Sequence, residues 1–268
     1  MRAGSTAYQS LCALARERAL ISTTASVLGW DQETGLPPAA VNYRASQLAW
    51  LSGKAHELAT STRWQDALQA AETEGSDEAV IQANLRELRH HFDRATKLPR
   101  ELVERDTEVS SRAKVSWVEA RQDSNFSRFA PALAELLEIA REKAELWGYE
   151  GEPYDALLEE YERGASTAEV SALFDSFRGP VAEIAREAVD NSRSTPASLL
   201  DAHYPVEDQK ILNHEIAESL GFDFRAGRID TVTHPFCTHL GPSDTRLTTR
   251  YDERDFLSSL FGVMHEAG

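Results

Sequence analysis

Apolar side chains recur every three or four residues through most of the first 220 positions of this chain. The spacing is most regular between residues 125 and 147, where it joins Phe126, Phe129, Leu133, Leu136, Leu137, Ala140 and Ala144. This period matches the 3.6 residues per turn of an α-helix, so it predicts amphipathic helices that each bury one face. The chain is therefore expected to have a mainly α fold.

Glycines, prolines and capping residues divide this region into separate predicted helices. The first helix is expected to run from Tyr8 to Leu28 and to end at Gly29, with a loop over residues 30–38 that contains two prolines. Thr167 is expected to cap a later helix. The remaining helices are predicted around residues 44–58, 79–95, 102–118, 125–147, 153–161, 168–189 and 206–220.

The pattern changes after Gly221, where β-branched residues alternate with polar ones between glycine and proline breaks. Segments 222–224, 228–233 and 246–250 predict a small antiparallel sheet. A last helix is expected to begin near residues 252–255. The sequence thus predicts an elongated multi-helix array in residues 1–220, followed by a sheet and a terminal helix in residues 221–268. The two regions are expected to pack as one unit.

Composition excludes several classes of partner. The chain has 28 Lys and Arg against 44 Asp and Glu, and its net charge of -16 repels nucleic acid and anionic membrane surfaces. No apolar run approaches the roughly 20 residues that cross a membrane, and the first residues lack the apolar core of a secretory signal. A cytoplasmic location is therefore expected. Cys12 and Cys237 form no C-x-x-C pair and are expected to be free, buried thiols.

The last four residues are His265-Glu266-Ala267-Gly268, the beginning of an H-E-x-x-H sequence without its second histidine. In a complete H-E-x-x-H helix, two histidines one turn apart bind a metal, and the glutamate polarises a metal-bound water. His265 is four residues after Phe261 and therefore continues an apolar stripe of the helix. The alternative interpretation is a core histidine on an ordinary buried helix.

Two further motifs precede this helix: H-P-F at residues 234–236, and D-x-R-x-T at residues 244–248. With the H-E-A-G stretch they resemble, in order and spacing, the carboxypeptidase Taq family of zinc metallocarboxypeptidases. Two earlier segments agree, W-D-Q-E-T at residues 30–34 with Pro37, and Y-D-A-L-L at residues 154–158. The resemblance covers the N-terminal half of the family, whose members are helical, cytosolic, usually dimeric and roughly twice as long.

The resemblance implies a reaction and a set of site residues. The reaction is metal-dependent removal of single residues from the C-termini of peptides, with zinc or cobalt as cofactor. His265 would be the first metal ligand and Glu266 the general base. The motifs bordering the substrate cleft would supply His234, Pro235, Phe236, Asp244, Arg246 and Thr248.

The second histidine and the later glutamate ligand are absent from residues 1–268. Because a catalytic zinc needs three protein ligands, we expect this chain to be inactive alone and to bind zinc incompletely. A non-catalytic helical interaction module is the alternative function. Local alternatives also remain: His234 as an extended residue before proline, Asp244 and Arg246 as a structural ion pair, and Trp30 as a packing residue.

Overall fold

Helices form most of the chain in a computed structural model that describes residues 5–192, 200 and 202–267. A short 3₁₀ helix, Pro38–Ala40, lies between the first two α-helices. Gly268 and residues 1–4 lie outside the described residues. The elements in chain order are α1 (Thr6–Thr34), α2 (Val41–Ala59), α3 (Thr62–Glu74), α4 (Ala79–Ala95), α5 (Arg100–Gln122), α6 (Phe126–Trp147), α7 (Pro153–Leu158), α8 (Thr167–Asn191), α9 (Val206–Ser219), β1 (Gly227–Thr231), β2 (Cys237–Gly241), β3 (Asp244–Thr249) and α10 (Phe256–Ala267).

The core lies between the N-terminal helices. α1 packs against α2 and α3, α2 packs against α5, and α5 packs against α6. The largest apolar cluster joins Leu11 of α1 to Leu68 of α3 and Phe92 of α4, and a second cluster contains Val109 of α5 and Ile139 of α6. Burying each such side chain stabilises the fold by about 1.5–3 kcal/mol. The predicted mainly α fold class is confirmed.

The first helix is longer than predicted, because Gly29 does not end it. α1 continues to Thr34, and Gly35 follows it. A glycine inside a helix costs only about 1 kcal/mol relative to alanine. Contacts beyond Gly29 offset this cost: the Gln32 amide nitrogen donates to the Ser111 carbonyl at 3.2 Å, and the Ser111 hydroxyl donates to Gln32 Oε1 at 2.8 Å. The predicted loop over residues 30–34 is therefore wrong.

The cap of α8 is Ser166, not Thr167 as predicted. The Ser166 hydroxyl accepts a hydrogen bond from the Glu169 backbone, and the Glu169 carboxylate accepts one from the Ser166 backbone. This reciprocal pair satisfies free N–H groups at the helix start. Thr167 instead donates its hydroxyl and its backbone N–H to Asp155, which holds α8 against α7.

The sheet has the strand order β1-β3-β2 and is mixed. β2 pairs antiparallel with β3, but β1 pairs parallel with β3. The expected all-antiparallel sheet is therefore wrong. Residues 242–243 form a short turn that makes β2 and β3 antiparallel, whereas residues 232–236 carry the chain from β1 to the opposite edge of β3. The segment 222–224 is not a strand: the Phe222 and Phe224 rings pack edge to face at 5.0 Å.

The sheet lies between the long first helix and the last helix. β2 packs against α1, while α10 packs against β3 and α9. Ser259 and Val263 are the fully buried residues of α10. No helix in the described ranges has the length and apolar character needed to cross a membrane. The division at residue 220 stays a prediction.

Candidate functional site

The H-P-F segment is bound to the central strand through one threonine. The Thr248 hydroxyl donates to the Phe236 carbonyl at 2.8 Å and accepts from the Phe236 N–H at 2.7 Å. The Thr248 N–H donates to the same carbonyl at 2.9 Å. Thr248 is fully buried, and His234 is exposed, with its ring edge-on to Trp117 of α5 at 6.1 Å. Thr248 therefore fixes the backbone of Phe236, two residues after His234.

The two charged residues of the D-x-R-x-T motif form a bidentate ion pair. Arg246 Nε and Nη2 donate to the two carboxylate oxygens of Asp244 at 2.8 and 3.1 Å. These hydrogen bonds lower the pKa of Asp244 and raise the pKa of Arg246. The Arg246 guanidinium also lies over the Trp30 ring, 4.3 Å from its centre. The predicted structural ion pair is confirmed, and Arg246 is fixed on two sides.

A pocket of about 320 Å³ that is lined by Trp30 opens between α1, α5 and β2. Its charged residues are Glu33 and Lys114, whose carboxylate and ammonium groups lie 3.5 Å apart. Its other lining residues include Trp30, Phe236 and Cys237. The indole nitrogen of Trp30 is buried without a hydrogen-bond partner among the described residues. The pocket therefore joins the end of α1 to the H-P-F segment.

The last helix reaches the same sheet. Burial and then the Glu266 carboxylate raise the pKa of the Cys237 thiol, so Glu266 acts on the residue that directly follows H-P-F. Cys237 and Cys12 are both free and half-buried. Glu266 is half-buried, whereas His265 and Phe261 are exposed on the same face of α10. The interpretation of His265 as a buried core histidine is therefore wrong.

The donors present do not complete a metal centre. His265 and Glu266 are adjacent on a helix, so their side chains diverge by about 100°. Among the described residues, no three His, Cys, Asp or Glu side chains are grouped so that they could hold a metal. A catalytic zinc site requires three protein ligands and an open position. The described residues therefore fit one part of such a centre, and no catalytic step through a metal follows from them.

Sequence reasoning missed part of this arrangement. Glu33 and Lys114 were not identified, because their meeting depends on α1 continuing past Gly29 and crossing α5. Strand β2, which begins at Cys237, was also missed. The sequence signal for Trp30 was present in the W-D-Q-E-T segment, but its place on a helix beneath Arg246 was not evident.

These elements form a mainly helical fold in which a small mixed sheet packs against the helix that carries the H-E residues. The family model for the carboxypeptidase Taq (M32) metallopeptidases matches residues 10–268, and the chain belongs to this family. The predicted family is thereby confirmed.

The relatives that this chain resembles are longer than the region that it matches. The chain is 34% identical over 278 residues to thermostable carboxypeptidase 1 of Thermus thermophilus, covering 98% of this chain and 54% of that protein. It is 31% identical over 248 residues to carboxypeptidase 1 of Bacillus subtilis, covering 92% and 50%. The crystal structure of BsuCP superimposes with a TM-score of 0.94 at 29% identity, covering 98% and 53%. The chain thus spans about half the length of these relatives.

Proposed function

We propose that residues 1–268 form the N-terminal part of a metal-dependent carboxypeptidase that removes single residues from peptide C-termini. The observation that carries this proposal is the meeting of three separate motifs at one sheet. Thr248 of β3 binds Phe236, Arg246 of β3 binds Asp244, and α10, which carries Glu266, packs against β3. Membership of the M32 family supports the reaction class.

In this proposal each motif residue has a role. His265 is the first ligand of a zinc or cobalt ion, and Glu266 is the general base. His234, Pro235, Phe236, Asp244, Arg246 and Thr248 border the cleft that receives the peptide C-terminus. Further metal donors come from outside residues 1–268, so these residues alone are inactive and hold zinc weakly. A cytoplasmic location and a homodimeric assembly belong to the same proposal and rest on the family resemblance.

The test joins this chain to the part of a relative that it does not cover. Residues 1–268 alone and a fusion to the C-terminal half of Bacillus subtilis carboxypeptidase 1 are assayed for release of C-terminal amino acids with added zinc or cobalt. We expect activity in the fusion alone, and at least a ~100-fold loss on Glu266→Gln. Glu218→Gln is the matched control, because it changes an exposed carboxylate in α9, the helix that packs against α10.

Three results would contradict the proposal. Metal-dependent activity of residues 1–268 alone, abolished by Glu266→Gln, would show that a complete site forms without further donors. A folded fusion that keeps full activity after Glu266→Gln would remove Glu266 from the reaction. A folded fusion without activity would favour the interaction module as the function of this chain.

A further inference from the structure

A buried polar contact joins α9 to the helix that carries His265 and Glu266. Gln209 of α9 is 3% exposed, and Ser259 of α10 is fully buried. The Ser259 hydroxyl donates to Gln209 Oε1 at 2.9 Å. It shares its proton with the Phe256 carbonyl, also at 2.9 Å. Neither Gln209 nor Ser259 belongs to a motif of the sequence, so the contact follows from the fold alone.

The Gln209 amide is itself held in one orientation. Its nitrogen donates to the Tyr204 carbonyl at 2.8 Å and to the Asp252 carbonyl at 2.9 Å. Because both N–H groups are used, turning the amide over would place its oxygen against two carbonyl oxygens. Gln209 Oε1 is therefore fixed, and it faces Ser259.

The chain on either side of these bonds is held as well. The Tyr204 N–H donates to the Glu253 carbonyl at 2.8 Å, and the centres of the Tyr204 and Phe256 rings lie 4.6 Å apart. The Thr249 hydroxyl donates to the Ser259 carbonyl at 3.4 Å. Gln209 thus connects three segments: the one before α9, the loop before α10, and α10 itself.

Ser259 lies where it can set the rotation of α10. Glu266 follows it by seven residues, so the two side chains leave the helix within about 20° of the same direction and lie roughly 10 Å apart. Val263, between them, is fully buried, but apolar packing is not directional. A hydrogen bond is directional, so the contact with Gln209 restricts the rotation more than packing alone does.

A small rotation of α10 would be large at its side chains. They reach about 5–6 Å from a helix axis, so a rotation of about 20° moves their ends by roughly 2 Å. A catalytic group has to be held to within about 0.5 Å of its productive position. Restricting the rotation of α10 therefore matters more for Glu266 than for the stability of the fold.

We propose that Gln209 is a positioning residue, which sets the rotation of α10 through Ser259 and so places Glu266 for the reaction. Gln209 touches no reacting group and acts only through α10. Its effect on the reaction rests on the function proposed above, whereas its control of α10 does not.

The first test needs neither metal nor substrate. Hydrogen exchange with mass spectrometry compares residues 1–268 with the Ser259→Ala variant, which removes only the α10 end of the contact. We expect α10 amides to exchange about 10-fold faster, because the buried Gln209 oxygen loses its donor, while α5 amides keep their rates. Ser258→Ala, which removes an exposed hydroxyl from the same helix, is the matched control and should change neither.

A double-mutant cycle with Gln209→Met assigns the effect to this contact. Met keeps the unbranched shape of the side chain and removes its hydrogen bonds. In the Gln209→Met background, Ser259→Ala should change α10 exchange less than about 2-fold, because the contact is already lost. Fully additive effects would show that the two residues act independently and would overturn the proposal. Unchanged α10 exchange in Ser259→Ala, or an equal change in Ser258→Ala, would also overturn it.

The second test uses the fusion to the C-terminal half of Bacillus subtilis carboxypeptidase 1. Ser259→Ala should lower kcat about 10-fold and change KM less than about 2-fold, because a displaced general base weakens the transition state and not substrate binding. Ser258→Ala should leave both constants unchanged. An unchanged kcat in Ser259→Ala would overturn the positioning role. An inactive parent fusion would contradict the proposed function instead, and the exchange experiment would still decide whether Gln209 controls α10.

Discussion

At the scale of single residues, one buried hydroxyl holds the H-P-F segment. Thr248→Val keeps the shape of the side chain but removes the hydrogen bonds that its hydroxyl makes with the Phe236 N–H and carbonyl. We expect unfolding free energy to fall by about 1–3 kcal/mol, because a buried N–H loses its acceptor. Thr249→Val is the matched control, since Thr249 is equally buried but makes one longer bond of 3.4 Å. Urea denaturation that ranks Thr249→Val as the more damaging change would contradict this role.

The Asp244–Arg246 pair predicts a pH dependence. Hydrogen bonds from Arg246 lower the folded pKa of Asp244 below its ordinary 3.8. The pair therefore stabilises the fold above pH 3.8, and this contribution is lost as pH falls through the lower folded pKa. Carbon NMR of the Asp244 carboxyl group should show its midpoint rise after Arg246→Gln. Arg228→Gln is the control. The charge of Arg228 has the smallest effect on the pKa of Asp244, so its removal should change the midpoint less. An unchanged midpoint in Arg246→Gln would refute the assigned cause.

At the scale of elements, sequence reasoning identified most helices because each repeats an apolar face over several turns. α6 is the clearest example, and its predicted and observed bounds differ by one residue at the start. Predictions failed where distant contacts decide the local structure. Gly29 makes the helix locally less stable by about 1 kcal/mol, but the Gln32–Ser111 hydrogen bonds favour the continuation of α1 past it. The parallel pairing of β1 depends on which edge of β3 the chain reaches, and local alternation carries no information about this choice.

Helix α8 is poorly packed, because none of its residues is buried in the part of the chain that the structure describes. Its apolar face, the α8 stripe, stays exposed along several turns through Leu173, Phe174, Phe177, Val181 and Ile184. Little tertiary packing protects its backbone hydrogen bonds, so α8 amides should exchange at least ~10-fold faster than those of α5. Hydrogen exchange with mass spectrometry checks this expectation at two protein concentrations. Protection of α8 as high as that of α5 at both concentrations would contradict this expectation and would show that the stripe is covered within one chain.

At the scale of the whole molecule, the motifs of the candidate site could be recognised in the sequence. The residues that surround these motifs in the fold could not be predicted. H-P-F, D-x-R-x-T and H-E are linear patterns, so their residues could be named directly. The Arg246–Trp30 contact and the pocket beside Lys114 arise only when α1, α5 and the sheet meet. β2 contacts α1, and α10 contacts α9, as expected if residues 1–220 and 221–268 pack as one unit. A single cooperative unfolding transition would test this prediction.

Exposed apolar residues at the last helix lead to a prediction about assembly. The Phe261 side chain is 60% exposed and Met264 is 37% exposed, and the α8 stripe adds further apolar surface. Covering such surface is favourable by about 25 cal/mol per Å², so we expect residues 1–268 to self-associate, with α10 in the interface. Sedimentation equilibrium should show a dimer or larger species. Phe261→Glu should weaken its association at least ~10-fold, because the charge would be buried at the contact. Val80→Glu, at an exposed apolar site on α4, is the matched control and should leave association unchanged. A monomer at every concentration, or equal effects of the two substitutions, would exclude α10 as the contact between copies.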